Sequence, residues 1–261
     1  MQFKNTYLIS VISTVFSPFI LAIDTPRFVT SSFPPLQYIH QEQQSGYVTK
    51  LFEKIHLEHK ELGNLNIEFL PWKRAMYEAE KKQNLFFFSA SRTPERESRF
   101  QWVSEISPYG QAIYSLKNSS QTNINSIEEL MEKKWVIGVQ NGSSMQEYLH
   151  NQGVPAELIM TVTDYKTSIK MLFSGRIDAV PLTYFLANGA ACSLGFDHSK
   201  LQLNFKIDEL SDPLWLAASL KTSKETVEFY RNSIEELKHS GWLNHNIQTE
   251  ISRWEDQMCN T

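Results

Sequence analysis

Cysteine is scarce in this chain: two residues in 261, Cys192 and Cys259, neither with a neighbour at metal-site spacing. That argues against a structural metal centre. In an oxidising compartment the two can pair as a disulfide; the alternative is two separate thiols, one buried and one near the C-terminal tail. An excess of positive charge is also missing. Lys and Arg number 25 against 29 Asp and Glu, a net charge of −4. Phosphate binding needs clustered cations, so a nucleic-acid partner is excluded. The chain has no long like-charge run, no internal repeat and no low-complexity stretch. No P-loop, dinucleotide fingerprint or Ser-His-Asp order stands out, and nothing calls for a cofactor. What is present is ordinary globular composition, 41% hydrophobic and 21% charged, enough for one large domain or two lobes.

The N-terminus is distinctive. Residues 1–5 carry one positive charge, at Lys4, and residues 7–22 are almost wholly apolar or small, broken by Pro18. Asp24, Thr25 and Pro26 then turn the chain polar. This is the layout of a secretory signal peptide, residues 1–22, cut after Ala22. A membrane anchor is the alternative, but a spanning helix wants roughly 20 apolar residues, and this run is shorter and holds a proline. The expected location is periplasmic.

Along the rest of the chain, strand and helix patterns alternate. Phe28-Val-Thr30 begins a strand that runs into the proline-held loop Ser31-Ser-Phe-Pro-Pro35. Leu51, Ile55 and Leu62 recur near helical spacing. Leu85-Phe-Phe-Phe88 reads as a buried strand of a parallel sheet, and Thr93-Pro94-Glu95 as a capped helix start. Residues 104–116 mix Pro, Gly and Tyr with strand formers and suit a crossing between lobes. Ser126, Asn141-Gly-Ser-Ser144 and Asp164 open further helices, and Gly175 closes one. The alternation predicts an α/β class with mainly parallel sheets.

From Pro71-Trp72-Lys-Arg-Ala75 through Ser89-Ala-Ser-Arg-Thr-Pro-Glu-Arg96 the pattern becomes specific. With Gly138-Val-Gln-Asn-Gly-Ser-Ser144, Gly175-Arg-Ile-Asp-Ala179 and Leu237-Lys-His-Ser-Gly-Trp242, it resembles the family 3 extracellular solute-binding proteins. These are the amino-acid-type periplasmic proteins of ABC transporters. Each motif alone is weak; their order and spacing cover nearly the whole mature chain. The resemblance implies the two-lobed periplasmic-binding-protein-like (type II) fold with two crossing hinge strands. Lobe one would be residues 23–109 and 207–261, and lobe two residues 110–206. It further implies a monomer that closes on a small-molecule ligand and hands it to an inner-membrane permease or receptor.

The resemblance places Arg96 on the ligand carboxylate, because a guanidinium grips a carboxylate with two parallel bonds. Without the motif, Arg96 reads as a surface residue pairing with Glu95 or Glu97, partly exposed on a short helix. Ser89 and Ser91 alternate at strand spacing, so both would face the cleft. Phe33 and Trp72 are candidate aromatic walls, with core packing the alternative for Trp72. Ser143 and Ser144 fall at a helix N-terminus, which suits an anion, although Ser143 equally suits a plain cap. Arg92 and Arg99 read as solvated. One departure stands out. Where the family places an acid for the ligand ammonium, this chain has Thr183, which cannot neutralise a cation. The ligand is then a carboxylate lacking the amine, or one whose amine another acid holds. The chain is expected not to be an enzyme. A cyclohexadienyl-dehydratase-like enzyme needs a cleft carboxylate, for which Glu105 and Asp164 are the candidates, and a ligand-sensing subunit is a third reading.

Overall fold

A computed structural model of the chain describes residues 26–117 and 123–260; the predicted signal peptide lies outside the described residues. The first sheet grows from apolar runs. Strand β1 (Arg27–Thr30) is followed by the hairpin β2 (Tyr38–His40) and β3 (Gln43–Ser45), then by helix α1 (Tyr47–Glu58). Strand β4 (Ile67–Phe69), helix α2 (Trp72–Lys81), strand β5 (Leu85–Ser91) and strand β6 (Phe100–Ser107) complete this pass. Between β5 and β6, Pro94–Arg99 form a 3-10 helix rather than an α-helix, and the Thr93 side chain makes no cap bond.

Alternation along the strands decides which helix each residue meets. Phe28, Phe86 and Phe88 pack with α1 residues Leu51, Phe52 and Ile55. Val29, Leu85 and Phe87 pack with Trp72, Ala75, Met76 and Ala79, the buried face of α2. Both faces of β5 are therefore buried, which is why Leu85–Phe88 reads as an unbroken apolar run.

At Pro108–Gly110 the chain leaves this sheet. Strand β7 (Gln111–Leu116), helix α3 (Ile127–Glu132), strand β8 (Ile137–Gln140) and helix α4 (Ser144–Asn151) open the second unit. Strand β9 (Ile159–Val162), helix α5 (Tyr165–Phe173), strand β10 (Val180–Thr183), helix α6 (Ala187–Cys192) and strand β11 (Leu201–Ile207) follow. The sheet order here is β10-β7-β11, and a single bridge from Ile137 to Ala179 joins the β8-β9 pair to it. Ile207 is still paired with Gln111, so the return crossing comes after it, through residues 208–213. Strand β12 (Leu214–Ser219) then inserts into the first sheet, giving the order β4-β1-β5-β12-β6.

The sheets are mixed rather than mainly parallel. β1 runs parallel to β4 and β5, and β8 to β9, but β12 is antiparallel to β5 and β6, and β7 to β10 and β11. The reason is the path. Strand β6 leads out of the first sheet and β12 leads back into it, as β7 and β11 do in the second, so the outgoing and returning strands run in opposite directions.

Helices α7 (Lys224–His239) and α8 (Trp242–Cys259) close the chain, separated by Gly241 at φ 77°. Helix α8 touches both units. Near its start, Asn246 Nδ2 donates to the Tyr47 carbonyl of α1 at 2.9 Å, and Glu250 pairs with Lys50. Toward its end the Trp254 ring lies where a Cβ on Gly189 of α6 would stand, 2.4 Å away. Cys259 is disulfide-bonded to Cys192 at the end of α6. The bond bridges the return crossing and fixes the far end of α8 to the second unit.

Candidate functional site

A cavity of about 100 Å³ lies between the two units and takes lining residues from both. From the first come Phe33, Trp72, Ser89, Ser91 and Arg96; from the second come Ser143, Ser144 and Thr183. All eight ligand-binding candidates from the sequence thus line one cavity.

Ser89 occupies an unexpected backbone position. Trp215 pairs with Ala90 and Leu216 with Phe88, which leaves Ser89 as the extra residue of a bulge, at φ 60°. A non-glycine residue there carries strain on the order of 1–3 kcal/mol, a cost commonly found at functional sites. The bulge breaks the simple alternation of Ser89 with Ser91. The Ser89 hydroxyl donates to Gln37 Oε1 at 2.7 Å, and Gln37 Nε2 in turn donates to Thr30 Oγ1 and the Ser31 carbonyl.

Arg96 is fully buried, not partly exposed. Its partner is neither Glu95 nor Glu97 but Glu147, on helix α4 of the opposite unit. Arg96 Nε donates to Glu147 Oε1 at 3.3 Å, and Nη2 stands 3.0 Å from Oε2, off the hydrogen-bond axis. Arg96 Nη2 also donates to the Gly142 carbonyl at 3.1 Å, and Nη1 to the Ser91 carbonyl at 3.4 Å. Glu147 is not among the cavity-lining residues, so the pair reaches across the seam beside the cavity. Glu97 instead pairs with Arg92, and Glu95 accepts from Asn151. Arg92 is not simply solvated, since its guanidinium lies 4.8 Å from the centre of the Trp215 ring. Arg99 pairs with Glu80.

Other contacts cross the same seam. Trp72 packs at a tilt against Phe87 in the core, and its Nε1 donates to the Gly142 carbonyl at 3.0 Å. Gly142 adopts φ 75°, which aims its carbonyl at both lobe-one donors. Ser144 Oγ lies 3.2 Å from Ser91 Oγ. Ser143 acts as the cap of α4, accepting from Gln146 N.

Thr183 ends β10 directly opposite Gln111 in β7, so both side chains share one face of the sheet. Sequence reading missed Gln111, Tyr109 and Tyr165, which also line the cavity. Tyr109 lies on the crossing segment, and burial pushes its phenol up to about 12. Phe33 meets both tyrosine rings, with centroids 6.4 Å from Tyr109 and 6.0 Å from Tyr165. Of the candidate acids, Asp164 caps helix α5 through Thr167 N, and Glu105 lines a separate hollow next to α8. Neither lines the cavity. Among the described residues, its lining includes no Asp, Glu, Lys or His.

No protein-family model and no curated protein sequence matches the chain. Solved structures do match it. One is a histidine kinase sensor domain with similarity to periplasmic binding proteins: TM-score 0.72, 14% identity, 89% of this chain and 96% of that one. Another is an amino acid ABC transporter substrate-binding protein from Streptococcus pneumoniae bound to L-arginine: TM-score 0.73, 20% identity, 89% and 96%. A third is an ancestral amino acid-binding protein, a precursor of cyclohexadienyl dehydratase: TM-score 0.68, 19% identity, 87% and 94%. At these identities the likeness establishes the fold: this chain has the two-lobed α/β architecture of the periplasmic binding proteins.

Proposed function

We propose that the protein is an exported solute-binding protein whose lobes close on a small carboxylate. One observation carries this reading: a fully buried arginine forms part of a cavity enclosed by both lobes. A guanidinium has five N–H donors. Three are used in the hydrogen bonds to Glu147, Ser91 and Gly142, which leaves one on each terminal nitrogen. That pair is what an end-on grip of a carboxylate uses. From lobe one the Ser91 hydroxyl would complete the carboxylate's hydrogen bonds, with Ser89 contributing through its backbone because its hydroxyl hydrogen goes to Gln37 Oε1, and Ser144 would add to them from the start of α4. Phe33 and Trp72, with the two tyrosines, form the apolar walls. Lobe one would comprise β1–β6, β12 and the two last helices, and lobe two residues 111–207.

The signal-peptide pattern of residues 1–22 supports a periplasmic location. The partner receiving the closed form would be an inner-membrane permease, as for the transporter proteins of this fold, or a receptor. A thermal-shift screen of small carboxylates, amino acids and amines tests the reading. Carboxylates should raise the melting temperature with the logarithm of concentration, and uncharged amides and amines should not. If only amines stabilise the protein, the reading is wrong.

A further inference from the structure

We propose that the lobe-two end of the cavity is built for a hydroxyl, so that the ligand is a small hydroxycarboxylate rather than an α-amino acid. This rests on the carboxylate role of Arg96 proposed above. Thr183 and Gln111 face each other across β10 and β7, and both are more than nine-tenths buried. Thr183 Oγ1, Gln111 Oε1 and the Tyr165 hydroxyl are buried without any hydrogen-bond partner. Such groups cost free energy unless something answers them, so three on the lining of one cavity mark where a ligand group belongs.

The donor and acceptor inventory selects that group. Threonine and tyrosine hydroxyls each donate and accept, and the free amide oxygen of Gln111 only accepts. The other end of that amide meets the Tyr109 hydroxyl. Turned the other way, the amide would leave a donor free instead of an acceptor. A ligand hydroxyl donates and accepts, so it answers either orientation. An ammonium has donors only. If it gave all three to these oxygens, the Thr183 and Tyr165 hydroxyl hydrogens would stay buried without acceptors. It would also carry its charge into a cavity whose lining has no carboxylate among the described residues and whose one formal charge is the Arg96 cation. A ketone only accepts, which leaves Gln111 Oε1 unanswered in the orientation the amide takes here, whereas a hydroxyl answers both. Burial raises the phenols of Tyr109 and Tyr165, so both stay neutral donors across the physiological range.

The test uses matched pairs that differ only in the group beside the carboxylate: glycolate and glycine, L-lactate and L-alanine, L-glycerate and L-serine, L-malate and L-aspartate. Calorimetry on the full mature chain should find the hydroxy acid tighter by at least about tenfold in every pair that binds, as for a site whose buried polar groups are left unpaired by the wrong ligand. Thr183→Asp supplies the missing acid and should reverse the preference within the same pair. An amino acid that binds the wild type as tightly as its hydroxy acid overturns this inference and leaves the carboxylate reading standing. If neither member of any pair binds, the carboxylate reading falls and this inference falls with it.

Discussion

Arg96→Ala is expected to weaken binding of the best carboxylate by roughly 30-fold to several thousand-fold. The estimate follows from the cost of stripping one partner from a buried charge pair, roughly 2–5 kcal/mol, at about 1.4 kcal/mol per tenfold. Arg96→Lys should recover only part, because an ammonium cannot reproduce two parallel bonds. Arg92→Ala and Arg99→Ala should leave affinity nearly unchanged. Each of those side chains pairs with an acid of its own lobe, and neither lines the cavity. The fold itself should also feel the loss of Arg96. A surface arginine would cost less than about 1 kcal/mol, but this one is fully buried and holds Glu147 of the other lobe. The Glu147 side chain is 25% exposed and can turn toward water, which limits the penalty. The expected loss is about 1–3 kcal/mol in the closed form, where the pair is made, and less without ligand, because opening the lobes separates Arg96 from Glu147. Calorimetry for affinity and urea melts for stability, run on the same variants, separate the two effects.

Removing the disulfide should be the largest change in stability. Cys192 and Cys259 are 67 residues apart, and closing a loop of that length in the unfolded chain corresponds to about 4 kcal/mol. For a chain of this size that is roughly 8–16 °C in melting temperature. The double variant Cys192→Ser with Cys259→Ser should show this fall, and a reducing agent should lower the wild type toward it while leaving the variant unmoved. The Trp254–Gly189 contact and the Asn246–Tyr47 bond should keep α8 helical in the variant. A melting temperature equal to that of wild type would mean that α8 is held by packing alone.

Much of the fold was legible in the sequence because local chemistry specifies it. Ser126, Ser143 and Asp164 cap the helices they were expected to open, and Gly175 at φ 69° ends the one before it. The run at Leu85–Phe88 announced a doubly covered strand. Strand β12, which returns to the first sheet after the second unit, carries no local mark of its antiparallel pairing, so the sheets read as more parallel than they are. Helix α8 follows Gly241, whose φ of 77° ends α7, and its apolar residues face two different units rather than one stripe.

The site divides in the same way. Arg96, Trp72 and the serines stand in a motif whose order is visible. Glu147 is 51 residues from Arg96, and only the fold brings the two together. Gln111 and Tyr165 have no motif of their own. A signal existed only for Thr183, where an acid is missing, and its cross-strand neighbour on β7 could be found only once the register was known. Ser89 shows the limit of periodicity, because a bulge at a serine with positive φ has no sequence signature such as glycine would give.

Capture by closure is the central claim, and small-angle scattering of the full mature chain measures it most directly. The contacts across the seam, Arg96 with Glu147, Trp72 and Arg96 with the Gly142 carbonyl, and Ser91 with Ser144, can form only when the lobes are together. A ligand that touches both walls of the cavity must favour that arrangement. Titration with the carboxylate that stabilises the protein most should reduce the radius of gyration and saturate at the stoichiometry seen by calorimetry. A radius that stays constant through saturation would contradict closure around a ligand held between the lobes.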